Sequence, residues 1–344
     1  MPFPTLLSWN TTFGCNLSCP HCYADARKQK SAQELSTDQG ISLIQELGQL
    51  KRLILVFSGG EPLSRRDILS LISTASEEGI RPVLGTNGIL LQKYIDRLVD
   101  SGLLKVGISI DSSNPSEHDQ FRGFPGAFSR IMDGIRATRE AGMPIQIHTT
   151  IHQGNIDEIP NMITLAEKVG ADAVHYFFLV PTGRGQTRMG KQELTKDQYY
   201  EALDQLYSLQ LESSILLKPV CAPQYLRVFK ENASSESKLS TLQRFGHFTR
   251  FAKGCLAGDT YGRIDPHGNV TPCPYLPLIV GNVTNQSFSD IWTNSPVLQE
   301  LRDLNGKNSG CNECKHVNLC GGGCKARLYA ISGSQSGFDP YCQN

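Results

Sequence analysis

The chain has 344 residues, enough for one large domain with a smaller one attached, and 39% of them are hydrophobic, enough for a sizeable core. Lysine plus arginine and aspartate plus glutamate both number 33, giving a formal net charge of zero, so nothing advertises nucleic acid and no like-charge tail stands out. The opening MPFPTLLSWNTTFG has no charged segment leading into a long apolar run, and no stretch approaches ~18 apolar residues; neither a signal peptide nor a membrane span is expected, and the expected location is the cytoplasm.

From the N-terminus, β-branched apolar runs alternate with amphipathic stretches. The expected strands are LLSWNTT, LILVFSG, RPVLGTN, KVGISID, IQIHTTI and AVHYFFL. Between them lie helical patterns such as TDQGISLIQELGQL and AFSRIMDGIRATREAG, several ending at a capping glycine. Six strand–helix units in series predict an α/β fold, a partial (β/α)6 TIM-like barrel over residues 1–225. In such sheets ligands bind at the C-terminal ends of the strands.

Directly after the first strand comes CNLSCPHC, with Cys15, Cys19 and Cys22 spaced x3 and x2 on a tight loop. A [4Fe–4S] cube ordinarily takes four thiolates, so three leave one iron free to bind something else. The bland alternative is a zinc knuckle using His21, which would strain a tetrahedral site. The second strand ends in SGGEP, where Gly59 and Gly60 let the backbone come close to a ligand and Glu61 offers a carboxylate. The third ends in GTNG, around Asn87, and the fourth places Ser109 and Asp111 on one side at period two.

Further along, PTGRG follows the sixth strand; Arg184 could meet a carboxylate, or simply sit solvated in a glycine-rich turn. His148 and Thr150 share one face of the fifth strand, where a histidine is more often packed than catalytic. Arg122, in HDQFRG, could line the mouth of the site or brace a loop, and His267, in DPHGN, needs no role beyond a hairpin turn. Residues 226–250, polar and serine-rich, read as a bridging segment.

Residues 251–344 are expected to form a small, mostly irregular C-terminal domain. Its cysteines are Cys255, Cys273, Cys311, Cys314, Cys320, Cys324 and Cys342. Eleven cysteines are many for a reducing compartment, and an odd number defeats complete pairing, so metal ligation is favoured over disulfides. Zinc and iron–sulfur remain alternatives on spacing alone.

The three-cysteine loop, GGEP and the strand-end residues resemble the radical S-adenosylmethionine (SAM) superfamily, and the C-terminal array resembles its seven-cysteine SPASM extension. The resemblance implies that Cys15, Cys19 and Cys22 carry a SAM-binding [4Fe–4S] cluster. Tyr23 would lie beside the adenine. Glu61, with Gly59, Gly60 and Asn87, would serve the methionine end of SAM, and Ser109 and Asp111 the ribose. It also implies two auxiliary [4Fe–4S] clusters, one on Cys311, Cys314, Cys320 and Cys342, the other on Cys255, Cys273 and Cys324. Cys221, in PVCAPQY, is left over. It completes the nearer auxiliary cluster, or that cluster keeps an open iron, or Cys221 is a buried free thiol.

Two shorter segments, SWNTTFGCNLSCPHCYADA and CAPQY, resemble the radical SAM enzymes of heme and d-type heme synthesis. That implies removal or oxidation of acetate or propionate side chains of a tetrapyrrole, driven by a 5′-deoxyadenosyl radical. A low-potential ferredoxin- or flavodoxin-type donor would supply electrons. The runner-up is a maturase of a ribosomally made peptide; a non-catalytic metal scaffold is the third reading.

Overall fold

A computed structural model describes residues 3–232, 254–303, 311 and 314–343. All six expected strands form: β1 (Leu6–Asn10), β2 (Ile54–Ser58), β3 (Arg81–Thr86), β4 (Lys105–Ser109), β5 (Ile145–Ile151) and β6 (Ala173–Phe178). They pair parallel, each with the next. The crossovers are α1 (Thr37–Gly48), α2 (Ile68–Glu77), α3 (Leu91–Asp100), α4 (Pro115–Arg122), α5 (Ala127–Glu140) and α6 (Ile159–Lys168). Ser36 and Gln39 close a reciprocal capping box that starts α1.

The outer face of the sheet is the core. Leu7 and Trp9 of β1 and Leu55 and Phe57 of β2 are fully buried. Gly40 lets α1 settle on Trp9, because a Cβ there would come within 2.8 Å of the indole. The inner face is half-open: His148, Thr150, His175 and Phe177 alternate with buried neighbours along β5 and β6.

The sheet is larger than six strands. After the short α7 (Arg184–Arg188) and α8 (Lys196–Glu212), β7 (Leu216–Val220) adds parallel to β6. The C-terminal region then supplies β8 (Tyr261–Ile264), parallel to the far edge of β1, and two antiparallel strands, β9 (Asn269–Thr271) and β10 (Gly281–Asn282). The order is β10-β9-β8-β1-β2-β3-β4-β5-β6-β7, with β10 and β7 as its two edge strands. The C-terminal region, expected to be small and mostly irregular, thus also contributes strands that cover the edge β1 would otherwise leave unpaired.

That region also has apolar packing of its own. Phe288 and Trp292 of α10 (Phe288–Asn294) and Leu298 and Leu301 of α11 (Pro296–Asp303) are buried, and Trp292 lies over Gly262. The chain finishes with α12 (Val317–Cys320) and α13 (Lys325–Ser332). Of the expected bridging segment, α9 (Tyr225–Asn232) crosses its start; residues 233–250 lie outside the described residues. No helix among the described residues is long and apolar enough to cross a membrane.

Candidate active site and cysteine centres

The loop after β1 is held against the loop after β2 by backbone hydrogen bonds. Gly60 N donates to Thr12 O at 2.7 Å and Glu61 N to Gly14 O at 2.8 Å. A Cβ on Gly60 would lie 2.2 Å from Gly14 O, and one on Gly59, whose φ is +140°, 2.6 Å from Thr12 O. These glycines thus bring two loops together, beyond the ligand approach expected of them.

Glu61 is fully buried. Its oxygens accept from Leu63 N (3.1 Å), Thr86 Oγ1 (2.8 Å) and Asn87 N (2.8 Å). Burial pushes its carboxyl up to about 7 against those donors. Asn87 in turn donates to Asn16 at 2.8 Å and lies 3.9 Å from Cys15 Sγ. Glu61 thereby fixes the β3 end beside the cysteine loop.

Cys15, Cys19 and Cys22 are free thiols close enough to act on one another electrostatically. Nitrogens approach each sulfur: Leu17 N to Cys15 and Ala26 N to Cys22, both at 3.4 Å, and Arg122 Nη1 to Cys19 at 3.7 Å. Donors ringing a thiolate set are what an iron–sulfur cluster uses to spread its charge. Burial pushes the Cys15 thiol up to about 12, a cost that ligation to a cation removes. No three Cys, His, Asp or Glu side chains among the described residues close on a point as one metal ion would require. A cube seats each thiolate on its own iron, so its ligands stand farther apart. His21 stays out of the thiol group; its ring stacks on Phe121 at 4.8 Å and its Nε2 is 4.0 Å from Asp111.

Asp111 is buried, ion-paired to Arg122 at 2.6 Å, and accepts from Thr150 N at 2.9 Å. Burial works to raise its carboxyl, but Arg122 and His21 outweigh that and hold it below the usual range. Of the expected ribose pair, Asp111 is thus spent on Arg122, whereas the Ser109 hydroxyl has no partner among the described residues. Arg122 proves to be a bridge from α4 to Cys19 and Asp111. Arg184, expected either at a ligand's carboxylate or solvated in a turn, is engaged by the protein itself. Its guanidinium donates to the carbonyls of Cys19 (3.0 Å) and Ala26 and lies 3.4 Å from Asp25. It stitches the cysteine loop to the β6 end.

Tyr23 donates to Asn10 Oδ1 at 3.3 Å, and its ring meets Tyr275 at 5.1 Å. Arg263 of β8 lies over the Tyr23 ring at 5.9 Å and acts on Cys273. Sequence reading missed Arg263; a charge inside the short apolar run YGRI was the available signal.

The remaining cysteines fall into two groups of four. Cys311 has Cys342, Cys320 and Cys314 as electrostatic neighbours. Cys273 has Cys255 and Cys324, and Cys221 hydrogen-bonds Cys324 and also acts on Cys273. That hydrogen bond, more than burial, raises the Cys221 thiol and lowers Cys324 to about 7. Cys221 adopts φ +60°, costly for a β-carbon-bearing residue. Its carbonyl accepts from Arg327 Nη2 at 2.7 Å, and Arg327 is itself paired to Asp339 at 2.7 Å, both fully buried.

These features define a parallel α/β barrel with a three-cysteine loop at its strand ends and a cysteine-rich C-terminal module. The radical SAM superfamily pattern matches residues 9–166, and that of an iron–sulfur cluster-binding (SPASM) domain matches residues 255–315. An AdoMet-dependent heme synthase of Methanosarcina barkeri is 39% identical over 340 residues, covering 98% of this chain and 96% of its own. The Fe-coproporphyrin III synthase of the same organism is 30% identical, covering 97% and 86%. Among solved structures, SuiB of Streptococcus suis bound to S-adenosylmethionine superposes with a TM-score of 0.79 at 20% identity, over 99% of this chain and 78% of that one. The chain belongs to the radical SAM superfamily and is an enzyme using a [4Fe–4S] cluster.

Proposed function

We propose that this enzyme converts Fe-coproporphyrin III to heme. The observation that carries the reading is the full-length, 39% identity to an AdoMet-dependent heme synthase. Heme bears two vinyl groups where Fe-coproporphyrin III bears two of its four propionates. When bound, SAM on its reduced cluster supplies a hydrogen-atom acceptor, and an auxiliary cluster an electron acceptor, for a change that takes one hydrogen atom, one CO2 and one electron from a propionate and leaves a vinyl group.

The chain's own groups would hold the parts. Cys15, Cys19 and Cys22 would ligate the SAM cluster, with Arg122 steadying Cys19. Gly59, Gly60 and Asn87, on the ledge that Glu61 fixes, would receive the methionine end. Ser109 would meet the ribose and Tyr23 the adenine. Cys311, Cys314, Cys320 and Cys342 would hold one auxiliary cluster; Cys255, Cys273 and Cys324 would hold the other, with Cys221 as fourth ligand, which the Cys221–Cys324 hydrogen bond supports. A ferredoxin- or flavodoxin-type donor and a reducing, cytoplasmic setting fit eleven cysteines without a disulfide among those described.

The test is anaerobic incubation with SAM, reductant and Fe-coproporphyrin III, with products read by mass spectrometry. Heme together with 5′-deoxyadenosine is expected; deoxyadenosine with the porphyrin unchanged would remove this substrate. The second reading, maturation of a ribosomally made peptide, instead predicts SAM cleavage stimulated by peptide and indifferent to porphyrin.

A further inference from the structure

Inside the barrel, three nitrogen-bearing side chains lie in one register row across adjacent strands. His148 of β5 pairs with His175 of β6, and His175 with Lys218 of β7. The two imidazoles stack at 5.0 Å with planes 13° apart, and Lys218 acts electrostatically on both. Register partners in a parallel sheet point to the same face, so all three project from one wall. That wall is the half-open inner face, not the helix-covered core.

Three observations make this row unlike ordinary packing. First, space is cleared for it: a Cβ on Gly107 of β4 would fall 2.3 Å from the His148 ring, so glycine there lets the imidazole lie flat against the wall. Second, His148 Nε2 is buried with no hydrogen-bond partner among the described residues. Buried polar atoms are rarely left so without a ligand to claim them. Third, Lys218 has no ion pair or hydrogen bond among the described residues, and burial alone acts on it. An ammonium on the half-open face without a counterion is left to meet an incoming anion.

The row is also well placed. Lys218 precedes Cys221 by three residues, ~10 Å of strand, on the edge strand of the sheet. His148 is the register partner of Ser109 on the other side. The row therefore spans the barrel wall between the strand end leading to Cys221 and the Ser109 position.

We propose that His148, His175 and Lys218 form a carboxylate-recognition strip that seats a propionate of the tetrapyrrole, an assignment that rests on the tetrapyrrole reading above. Lys218 supplies the charge and the imidazoles supply neutral N–H donors. Burial keeps His148 neutral, lowering it to about 4, so the strip carries one positive charge rather than three. One carboxylate matches that charge. Arg263 of β8 is already engaged over Tyr23 and beside Cys273.

The test measures Fe-coproporphyrin III binding to the reconstituted full-length protein by absorbance titration, with SAM affinity measured alongside. Lys218→Met keeps the length of the stem and removes the charge; a thermal melt matching the parent shows that it folds. The expected result is about 10- to 100-fold weaker porphyrin binding, restored largely by Lys218→Arg, with the same direction for His148→Phe. Binding that is unchanged in Lys218→Met while the parent binds overturns the strip and leaves the tetrapyrrole reading standing. No porphyrin binding by the parent overturns both. A loss of SAM affinity in Lys218→Met equal to the loss for porphyrin assigns the strip to the carboxylate of SAM and overturns the proposal.

Discussion

Single side chains at this site act mostly on one another. Cys15, Cys19 and Cys22 share donors with neighbouring loops, so Cys15→Ala is expected to lower bound iron from about twelve to about eight per chain and abolish 5′-deoxyadenosine formation, leaving auxiliary iron in place. Loss of all iron would contradict the separation of centres. Arg122 is the sole guanidinium paired to the buried Asp111 among the described residues. Arg122→Met strands that charge and should destabilise the fold by roughly 3–5 kcal/mol, read as a lower melting temperature that Asp111→Asn partly restores. Glu61 gives a pH signature. Burial raises it from 4.5 to about 7, so the folded chain keeps a proton that the unfolded chain has lost. Its stabilisation is complete below about pH 4.5 and fades as pH rises through 7, by up to about 1.4 kcal/mol per pH unit. The stability of Glu61→Gln should show a flatter pH dependence over that window; an unchanged slope would mean that Glu61 is ionised throughout.

Elements place these groups through a few close approaches. Gly60→Ala drives a methyl into Gly14 O, so the cysteine loop must lift from the β2 end. Iron at the SAM cluster should fall while the barrel stays folded, seen as retained circular dichroism with reduced iron. The Arg327–Asp339 pair ties α13 to the turn after β7, because Arg327 also holds the Cys221 carbonyl. Arg327→Met should therefore disturb the nearer auxiliary cluster more than the farther one, a difference visible in the electron paramagnetic resonance of the reduced protein. Six strands and their helices were legible because β-branched runs and 3.6-residue periodicity recur over long windows. β7 and β8 were not: Lys218 interrupts ILLKPV and Arg263 interrupts YGRI, and both charges are tolerated because they face the barrel interior. The residues that broke the strand pattern are those that make the interior polar.

At the scale of the molecule, one sheet joins both halves, and β8 beside β1 brings the C-terminal region to the three-cysteine loop, where Arg263 lies over Tyr23 and Tyr275 meets its ring. Cysteine spacing set the loop at Cys15 apart, whereas the grouping of Cys311 with Cys314, Cys320 and Cys342 was implied by the resemblance to the SPASM extension. Whether Cys221 joins Cys255, Cys273 and Cys324 was one of three alternatives the sequence left open, because it depends on where β7 ends. The commitment of Asp111 and Arg184 to the protein itself was not legible, since side-chain reach is set by tertiary contacts between α4, the β6 end and the cysteine loop. The central claim is a radical SAM enzyme that turns propionates of Fe-coproporphyrin III into the vinyl groups of heme. The most direct measurement is an anaerobic turnover assay on protein loaded with about twelve irons, counting 5′-deoxyadenosine, CO2 and heme together. The account predicts one deoxyadenosine and one CO2 for each vinyl group formed; deoxyadenosine accumulating without CO2 or heme would contradict it.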